Sequence, residues 1–307
     1  MKKLFTLLAL TISFSMNSQM DDNSANNNSA GTYAVAMGNG TTASGYNSTA
    51  MGSGTTASGD YSSAMGSDTT ATGNYSTAMG YGTQAGTYAS YGTAMGKNTI
   101  AWGDSSTAMG FDTNATGYRS TAMGSSTTAS DFASVVIGQH NSSGYSITTS
   151  WDSFSTSNTA FVIGNGTASN AKSDAFKVMF NGDATVSNDL TVSGDVVISS
   201  DARLKSNIVS LGSTLPKLLQ IDGKSYEMKG KQKIGVLAQE IQEVFPELVS
   251  EDDNEMLAVN YQGLVPVLIN ALKEQQSEID ELKEQETKYM EQEKRLERLE
   301  KLVANMD

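Results

Sequence analysis

The sequence of 307 residues contains 29 Gly, 3 Pro, no Cys and 7% aromatic residues, a composition too poor in bulky side chains for one large globular core. Without cysteine there is no disulfide staple, no thiolate metal site and no lipid-modified N-terminal cysteine, and neither a metal nor a cofactor is expected. A formal net charge of −13 disfavours nucleic acid as a partner, because phosphate binding needs clustered Lys and Arg.

Residues 1–18 have the three parts of a secretory signal: Lys2 and Lys3, an apolar run from Leu4 to Phe14, and small or polar residues ending near Ser18. The run is too short to cross a bilayer, and no later stretch reaches the roughly 20 apolar residues that a transmembrane helix needs. The mature protein is therefore expected outside the cytoplasm, secreted or at the cell surface. Residues 19–30 are Asn-rich, lack apolar periodicity and read as a disordered spacer.

From residue 31 the dominant pattern is repetition. Met-Gly recurs at Met37, Met51, Met65, Met79, Met95, Met109 and Met123, and Ile137-Gly138 continues the series, with a spacing of 14 residues apart from one step of 16. A second beat, Ala-Ser/Thr-Gly, falls between at Ala43, Ala57, Ala71 and Ala115. Each repeat reads as two short extended segments divided by two turns. Such a unit cannot bury a face alone and must stack on its neighbours as a solenoid. Within Ser-Thr-Ala-Met-Gly, alternation puts Ala and Gly on one side, suited to a narrow interior, and Thr and Met on the other, suited to a neighbouring chain. Tyr46, Tyr61, Tyr75 and Tyr118 fall near the turns; packing along neighbouring coils is the favoured reading, and contact with a carbohydrate or protein the other.

These repeats resemble the head repeats of trimeric autotransporter adhesins over residues 31–140. The resemblance implies a left-handed parallel β-roll, three rolls side by side at a bacterial surface, with a host-surface or matrix glycan or protein as ligand. Those adhesins end in a membrane-anchoring barrel segment, whereas this sequence ends in a polar helix.

Residues 141–199 read as a slender β-stalk, with Val162-Ile163-Gly164 echoing the strand motif. Short β-type runs follow at Phe176–Val178, Ala184–Val186, Leu190–Val192 and Val196–Ile198, divided by Asn181-Gly182-Asp183 and Ser193-Gly194-Asp195. The composition then changes: the first glutamate of the chain is Glu227. Residues 208–221 have helix-compatible apolar spacing, with Pro216 tolerable only near a helix start, and residues 224–230 should be extended. Residues 233–244 read as a strand end entering a short helix stopped by Phe245-Pro246. Val249 and Leu257–Val259 suggest a hairpin. From Gly263 onward the chain is one long helix candidate. Leu282, Tyr289, Leu296 and Val303 recur at heptad spacing and make residues 276–307 a coiled-coil seam, diluted by Glu286 and Glu293.

The junction Ser200-Asp201-Ala202-Arg203-Leu204-Lys205-Ser206-Asn207-Ile208, the blocks 235–240 and 245–249, and Tyr261, Leu264, Leu268 and Ala271-Leu272-Lys273 resemble the endosialidase-type intramolecular chaperone of phage tail spikes and fibres. The resemblance covers residues 200–275 and implies a small α+β domain, trimeric, that guides folding of the β-fibre before it and cuts itself off. Carried onto this sequence, the scissile bond is Ser199–Ser200, the nucleophile Ser200 and the base Lys205; the residues themselves give Asp201 and Arg203 a supporting role, Asp201 orienting the turn or pairing with Arg203.

A serine hydroxyl needs a base to take its proton, and a neutral lysine amine can serve. Bringing a lysine from its ordinary pKa of about 10.4 to neutrality costs roughly 4 kcal/mol, so Lys205 requires burial or a cationic neighbour such as Arg203. A trimer interface supplies burial where a lone chain does not, and cleavage then reports assembly. A Ser and a Lys five residues apart occur by chance in most proteins, so the assignment leans on the resemblance. Some relatives use a supporting histidine; the single one here, His140, reads as a polar turn residue of the fibre.

The sequence thus reads as a mainly β fibre, a β-roll then a stalk, followed by a small α+β chaperone and serine autoprotease domain and a trimeric coiled coil. It describes a secreted homotrimeric fibre or adhesin-like surface protein. The alternative is a non-cleaving structural surface protein held as a trimer. A polysaccharide-degrading tail spike is disfavoured, because glycosidases need two carboxylates about 5 to 9.5 Å apart and the roll offers only scattered Asp60, Asp68, Asp104, Asp112, Asp131 and Asp152.

Overall fold

The computed structural model describes residues 20–21, 27–86, 90–252 and 255–305; the signal-like segment and most of the spacer lie outside the described residues. The chain divides into a front unit ending at Val196 and a back unit starting at Val197.

In the front unit each repeat forms one five-residue strand and one two-residue strand, as at Thr49–Ser53 and Thr56–Ala57. The longer strands stack in parallel and in register, Met37 on Met51, Met51 on Met65, and so through Met79, Met95, Met109 and Met123 to Ile137. The shorter strands stack the same way in a second sheet, Ala43 on Ala57 and Ala101 on Ala115. The 16-residue step is absorbed between the strands, since Thr93–Lys97 keeps full register with Thr77–Tyr81. The result is the two-sheet solenoid that the periodicity predicts.

Its interior is a column of small side chains. Ala36, Ala50, Ala64 and their successors on the long strands, and Ala43, Ala57 and Ala71 on the short ones, are fully buried, as are Ser48, Ser62, Thr41, Thr55 and Thr69. Some of the hydroxyls reach backbone, such as Ser76 Oγ donating to the Gly73 carbonyl at 2.6 Å and Ser134 Oγ to the Asp131 carbonyl at 2.9 Å. Those of Thr55, Thr69, Thr83, Thr99, Thr113 and Thr127 meet no protein partner. The inward alternation is therefore Ser-Ala, and the outward one Thr-Met.

The glycine of the Met-Gly beat does not share the interior with alanine, contrary to the alternation expected from the sequence. Gly52 is exposed and has φ +125° within its strand. A Cβ there would lie 1.9 Å from the Gly66 carbonyl oxygen of the next coil. The Met-Gly beat thus records backbone stacked on backbone, and the inner wall is completed by Thr55 and Ala57.

The period ends near residue 140, but the sheet does not. Thr159–Asn165 pairs in parallel with Val135–Gln139, setting Val162 beside Val136 in the buried column. The intervening loop is tied down by Asp131, which accepts from the Thr148 N–H at 2.6 Å, the Thr148 hydroxyl at 2.7 Å and the Thr159 N–H at 2.8 Å. The start of the expected stalk is thus one more coil with a long insertion. Asp174–Met179 then adds antiparallel to Thr159–Asn165, and Ala184–Val186 to Asp174–Met179. Leu190–Val192 and Val196–Ile198 form no strand, and their apolar side chains are exposed.

In the back unit, residues 208–214 are not helical; the helix α1 is confined to Leu215–Leu218. Gly212, at φ +71°, and Pro216 in the first turn restrict it to this length. Lys224–Met228 and Lys231–Gly235 form a hairpin whose two turn residues, Lys229 and Gly230, both have positive φ, as a tight primed turn requires. Helix α2, Ala238–Val244, follows, then the short hairpin Val249–Glu251 with Leu257–Val259 and the 41-residue helix α3, Leu264–Ala304. The core is small: Ile241, Phe245 and Val267, flanked by Leu218, Ile221, Val236, Val244, Leu248, Val249, Val259 and Leu264.

Replacing Gly66 by Ala should destabilise the roll by roughly 1–3 kcal/mol, the cost of a strained backbone position, and lower its thermal midpoint. Gly40→Asn should be close to neutral. Gly40 has φ +64°, and a Cβ added there would meet its nearest atom, the Gly54 backbone nitrogen, only at 4.0 Å; Asn98 already holds the equivalent position at φ +53°. Thermal unfolding of both variants followed by circular dichroism checks the pair.

Candidate functional site

The junction folds into a single turn of 3-10 helix, Ala202–Leu204, with Asp201 as its N-cap. The Asp201 carbonyl accepts from the Leu204 N–H and the Ala202 carbonyl from the Lys205 N–H, both at 3.1 Å. The Asp201 carboxylate accepts from the Arg203 N–H at 2.9 Å and from its guanidinium through Nε at 3.0 Å and Nη2 at 2.7 Å. Extended backbone at Lys205, φ −120° and ψ 146°, then carries the lysine past the turn. Its Nζ donates to Ser200 Oγ at 2.7 Å. A turn of this kind is what brings residues five apart into contact.

Electrostatically the turn is a closed pair beside an open one. The Arg203 guanidinium, and then its backbone N–H, hold the Asp201 carboxyl below its ordinary value, and Asp201 raises Arg203 in return. Arg203 is thereby engaged with Asp201. Ser200 and Lys205 are both exposed in the single chain. Ser199, Asp201, Arg203 and Leu204 line an open hollow of about 450 Å³.

The other sequence candidates belong to the turns of the roll. His140 has φ +43° and occupies the left-handed turn position held by Asn98 and Asp112 in earlier coils; its N–H donates to the Ser125 carbonyl. Asp60 accepts from the Tyr46 N–H, Asp104 from the Ser90 N–H and Asp112 from the Asn98 side chain. Their role is to link successive coils.

Residues 200–250 match the family model described as chaperone of endosialidase, Peptidase S74. Residues 29–55, 57–83, 89–113 and 115–141 each match the model described as YadA head domain repeat, two copies. The chain carries an endosialidase chaperone domain behind a row of YadA head repeats. No curated protein matches the chain. The chaperone match opens on Ser200 and ends before α3, and among the described residues no helix is long and apolar enough to cross a membrane.

Sequence reasoning missed how the chaperone domain's first helix is held. Glu274 of α3 accepts from the Thr214 N–H at 2.6 Å, the Leu215 N–H at 3.1 Å, the Ser213 hydroxyl at 2.9 Å and the Thr214 hydroxyl at 3.2 Å. It thus caps α1, whose own N-cap Thr214 makes no side-chain bond to its helix, and satisfies N–H groups that every helix start leaves open. Thr214 Oγ1 also reaches the Val267 carbonyl at 3.2 Å, and Asn270 Nδ2 donates to the Gly212 carbonyl. No motif announces this contact, because Thr214 and Glu274 are 60 residues apart; the one available signal was that Glu274 continues the helix face of Val267 and Ala271.

The backbone N–H of Thr214, foremost, holds the Glu274 carboxyl below its ordinary value of 4.5. A lowered folded value means that the clamp stabilises fully above the unfolded value and fades as pH falls through the folded one. Glu274→Gln should therefore be less stable than the parent at neutral pH and show a smaller further loss below about pH 4.5. Urea unfolding of both proteins across pH 3 to 7 measures the difference.

Proposed function

We propose that the protein is a secreted homotrimeric fibre, adhesin-like and displayed outside the cell, whose chaperone domain assembles the trimer and then releases itself by cutting before Ser200. The observation that carries the cut is the 2.7 Å contact between Lys205 Nζ and Ser200 Oγ in a domain that matches a peptidase family at that residue. The neutral lysine amine takes the hydroxyl proton as Ser200 Oγ attacks the Ser199 carbonyl carbon. The tetrahedral intermediate collapses by breaking the Ser199–Ser200 C–N bond, and the same proton passes to the departing Ser200 amine. Water then hydrolyses the ester to leave a carboxyl at Ser199 and a free N-terminus at Ser200. The reaction is intramolecular and turns over once.

Trimerisation is supported by the apolar surface that the single chain leaves in water. Along α3, Leu268, Leu272, Ile279, Leu282, Tyr289, Leu296 and Val303 are exposed, and beside the scissile turn so are Ile198, Leu204, Ile208 and Val209. Monomeric proteins rarely expose so much contiguous apolar surface. Covering the turn also withdraws Lys205 from water, the change that favours its neutral form. Assembly is thus the switch that arms the dyad.

Native mass measurement of the secreted protein should give three chains, in pieces that end at Ser199 and begin at Ser200. Ser200→Ala should give a single intact chain, and Lys205→Arg, which keeps the charge and cannot act as base, should slow cutting by about 100-fold or more. Cutting of Ser200→Ala at the same bond refutes the dyad, and an intact trimer of the parent protein supports instead a non-cleaving structural fibre.

A further inference from the structure

One turn of the roll carries a row of aromatic rings that neither the core nor the scissile site uses. Tyr33, Tyr46, Tyr61, Tyr75 and Tyr91 lie on successive coils with ring centroids 5.7, 5.5, 5.0 and 5.1 Å apart. The last three are parallel within 5°. Parallel rings in contact sit about 3.5–4.0 Å apart face to face, so these centroid separations describe a slipped staircase in which each ring shows part of its face. All five rings are between 40% and 55% exposed.

The backbone makes this row costly. Tyr33, Tyr61, Tyr75 and Tyr91 have φ between 57° and 61°, a left-handed conformation that is uncommon for any side chain but Gly and Asn and an outlier for a bulky one. Asn47, Ser105 and Ala133 occupy the same turn position in other coils, so the fold does not demand a ring there. The turn imposes this conformation in eight successive coils, Arg119 included, and the row is distinguished by the exposed rings that four of them set on it.

The chemistry beside the rings narrows the ligand. Asp60 and Asn74, both exposed, each spend one side-chain oxygen on the preceding coil's turn, accepting from the Tyr46 and Asp60 N–H groups; Asp60 Oδ2 and Asn74 Nδ2 remain as an acceptor and a donor. From Gly31 to Tyr91 the sequence holds no Lys, Arg or His and only two acidic residues, Asp60 and Asp68, so nothing there pairs with sulfate or carboxylate. Flat apolar faces with hydroxyl-binding groups along one edge suit a neutral sugar chain. Coils repeat at about the 4.8 Å strand spacing, and an extended β-1,4-linked pyranose chain advances by close to that distance per sugar.

We propose that the stacked rings of Tyr61, Tyr75 and Tyr91, which Tyr33 and Tyr46 continue edge to face, dock a neutral β-1,4-linked glycan lying along the fibre axis, one sugar per stacked ring. The proposal names the ligand class for the adhesive reading above and rests on it. The test uses the full mature protein, titrated by calorimetry with chitohexaose and with cellohexaose, against maltohexaose and a sulfated heparin hexasaccharide. One of the β-1,4 hexamers should bind saturably and more tightly than its own dimer, while the controls do not. Tyr61→Asn/Tyr75→Asn/Tyr91→Asn should weaken that binding at least about tenfold with no lower thermal midpoint, since Asn47 already accepts this conformation. The proposal is overturned if neither β-1,4 hexamer binds, if the triple variant binds equally well, or if the sulfated control competes. It is also overturned if the five rings resist iodination in the assembled protein, which would make them a contact with a second copy. Native mass of the same samples reports separately on the fibre: binding by a protein of single-chain mass refutes the trimer and leaves the staircase standing.

Discussion

The front unit depends on a narrow interior, filled through most of the roll by alanine, serine and threonine and closed by parallel strands in register. Because the two sheets approach so closely, Ala50 or Thr55 fills the space between them, and valine enters only at the last coils, at Val136 and Val162. Overpacking such a core forces backbone shifts, and here the shift would pass to every neighbouring coil. The same closeness acts along the stack, where Gly52 and Gly66 set backbone against backbone. Stability comes from repetition: each coil supplies little buried apolar area, and each gains the ladder bonds of the coils on both sides.

The back unit has the opposite problem. Its core of Ile241, Phe245 and Val267 is slight for the length of chain it organises, and a polar clamp from Glu274 holds the first helix to the long one. Much of its apolar side-chain area faces water, including the seam of α3 and the residues flanking the scissile turn. Surface of that kind is unfavourable for a lone chain and favourable once shared. The turn that sets Lys205 against Ser200 forms from local contacts alone, Asp201 with Arg203 above all. Under the proposed mechanism one chain supplies the geometry, and the dry surroundings that a lysine base needs are left to assembly.

The roll was legible because its signal is periodic. A beat of Met-Gly every 14 residues states the coil length, the register and the number of coils, and the ladder of Met37 to Ile137 follows it. Alternation alone misplaced the Met-Gly glycines, since it assumes regular extended backbone through Gly52, whereas the strand passes that residue at positive φ. The coil around Val162 was only half legible: its Val-Ile-Gly echo is plain, but the buried Asn141 and Asn158 and the hydrogen bonds of Asp131 that admit a long insertion leave no repeat to read. In the back unit the hairpin of Val249 and Leu257–Val259, α2 and α3 were visible in the sequence, whereas the segments around Lys224 and Lys233 read as extended without showing that they pair with each other. Helix α1 was overextended because apolar spacing at Ile208 and Leu211 continued past Gly212, where the backbone does not.

By itself, then, the sequence determined the parts: a stack of small-residue coils, a junction with a serine and a lysine five apart, and a heptad seam. Those properties are local or periodic, and a linear pattern records them in full. Only the tertiary structure decided that Glu274 caps a helix 60 residues before it and that the tyrosine rings on neighbouring coils stay half exposed. The first is a contact between residues whose separation along the chain carries no information until folding sets their distance, and the second depends on what the fold leaves beside the turn.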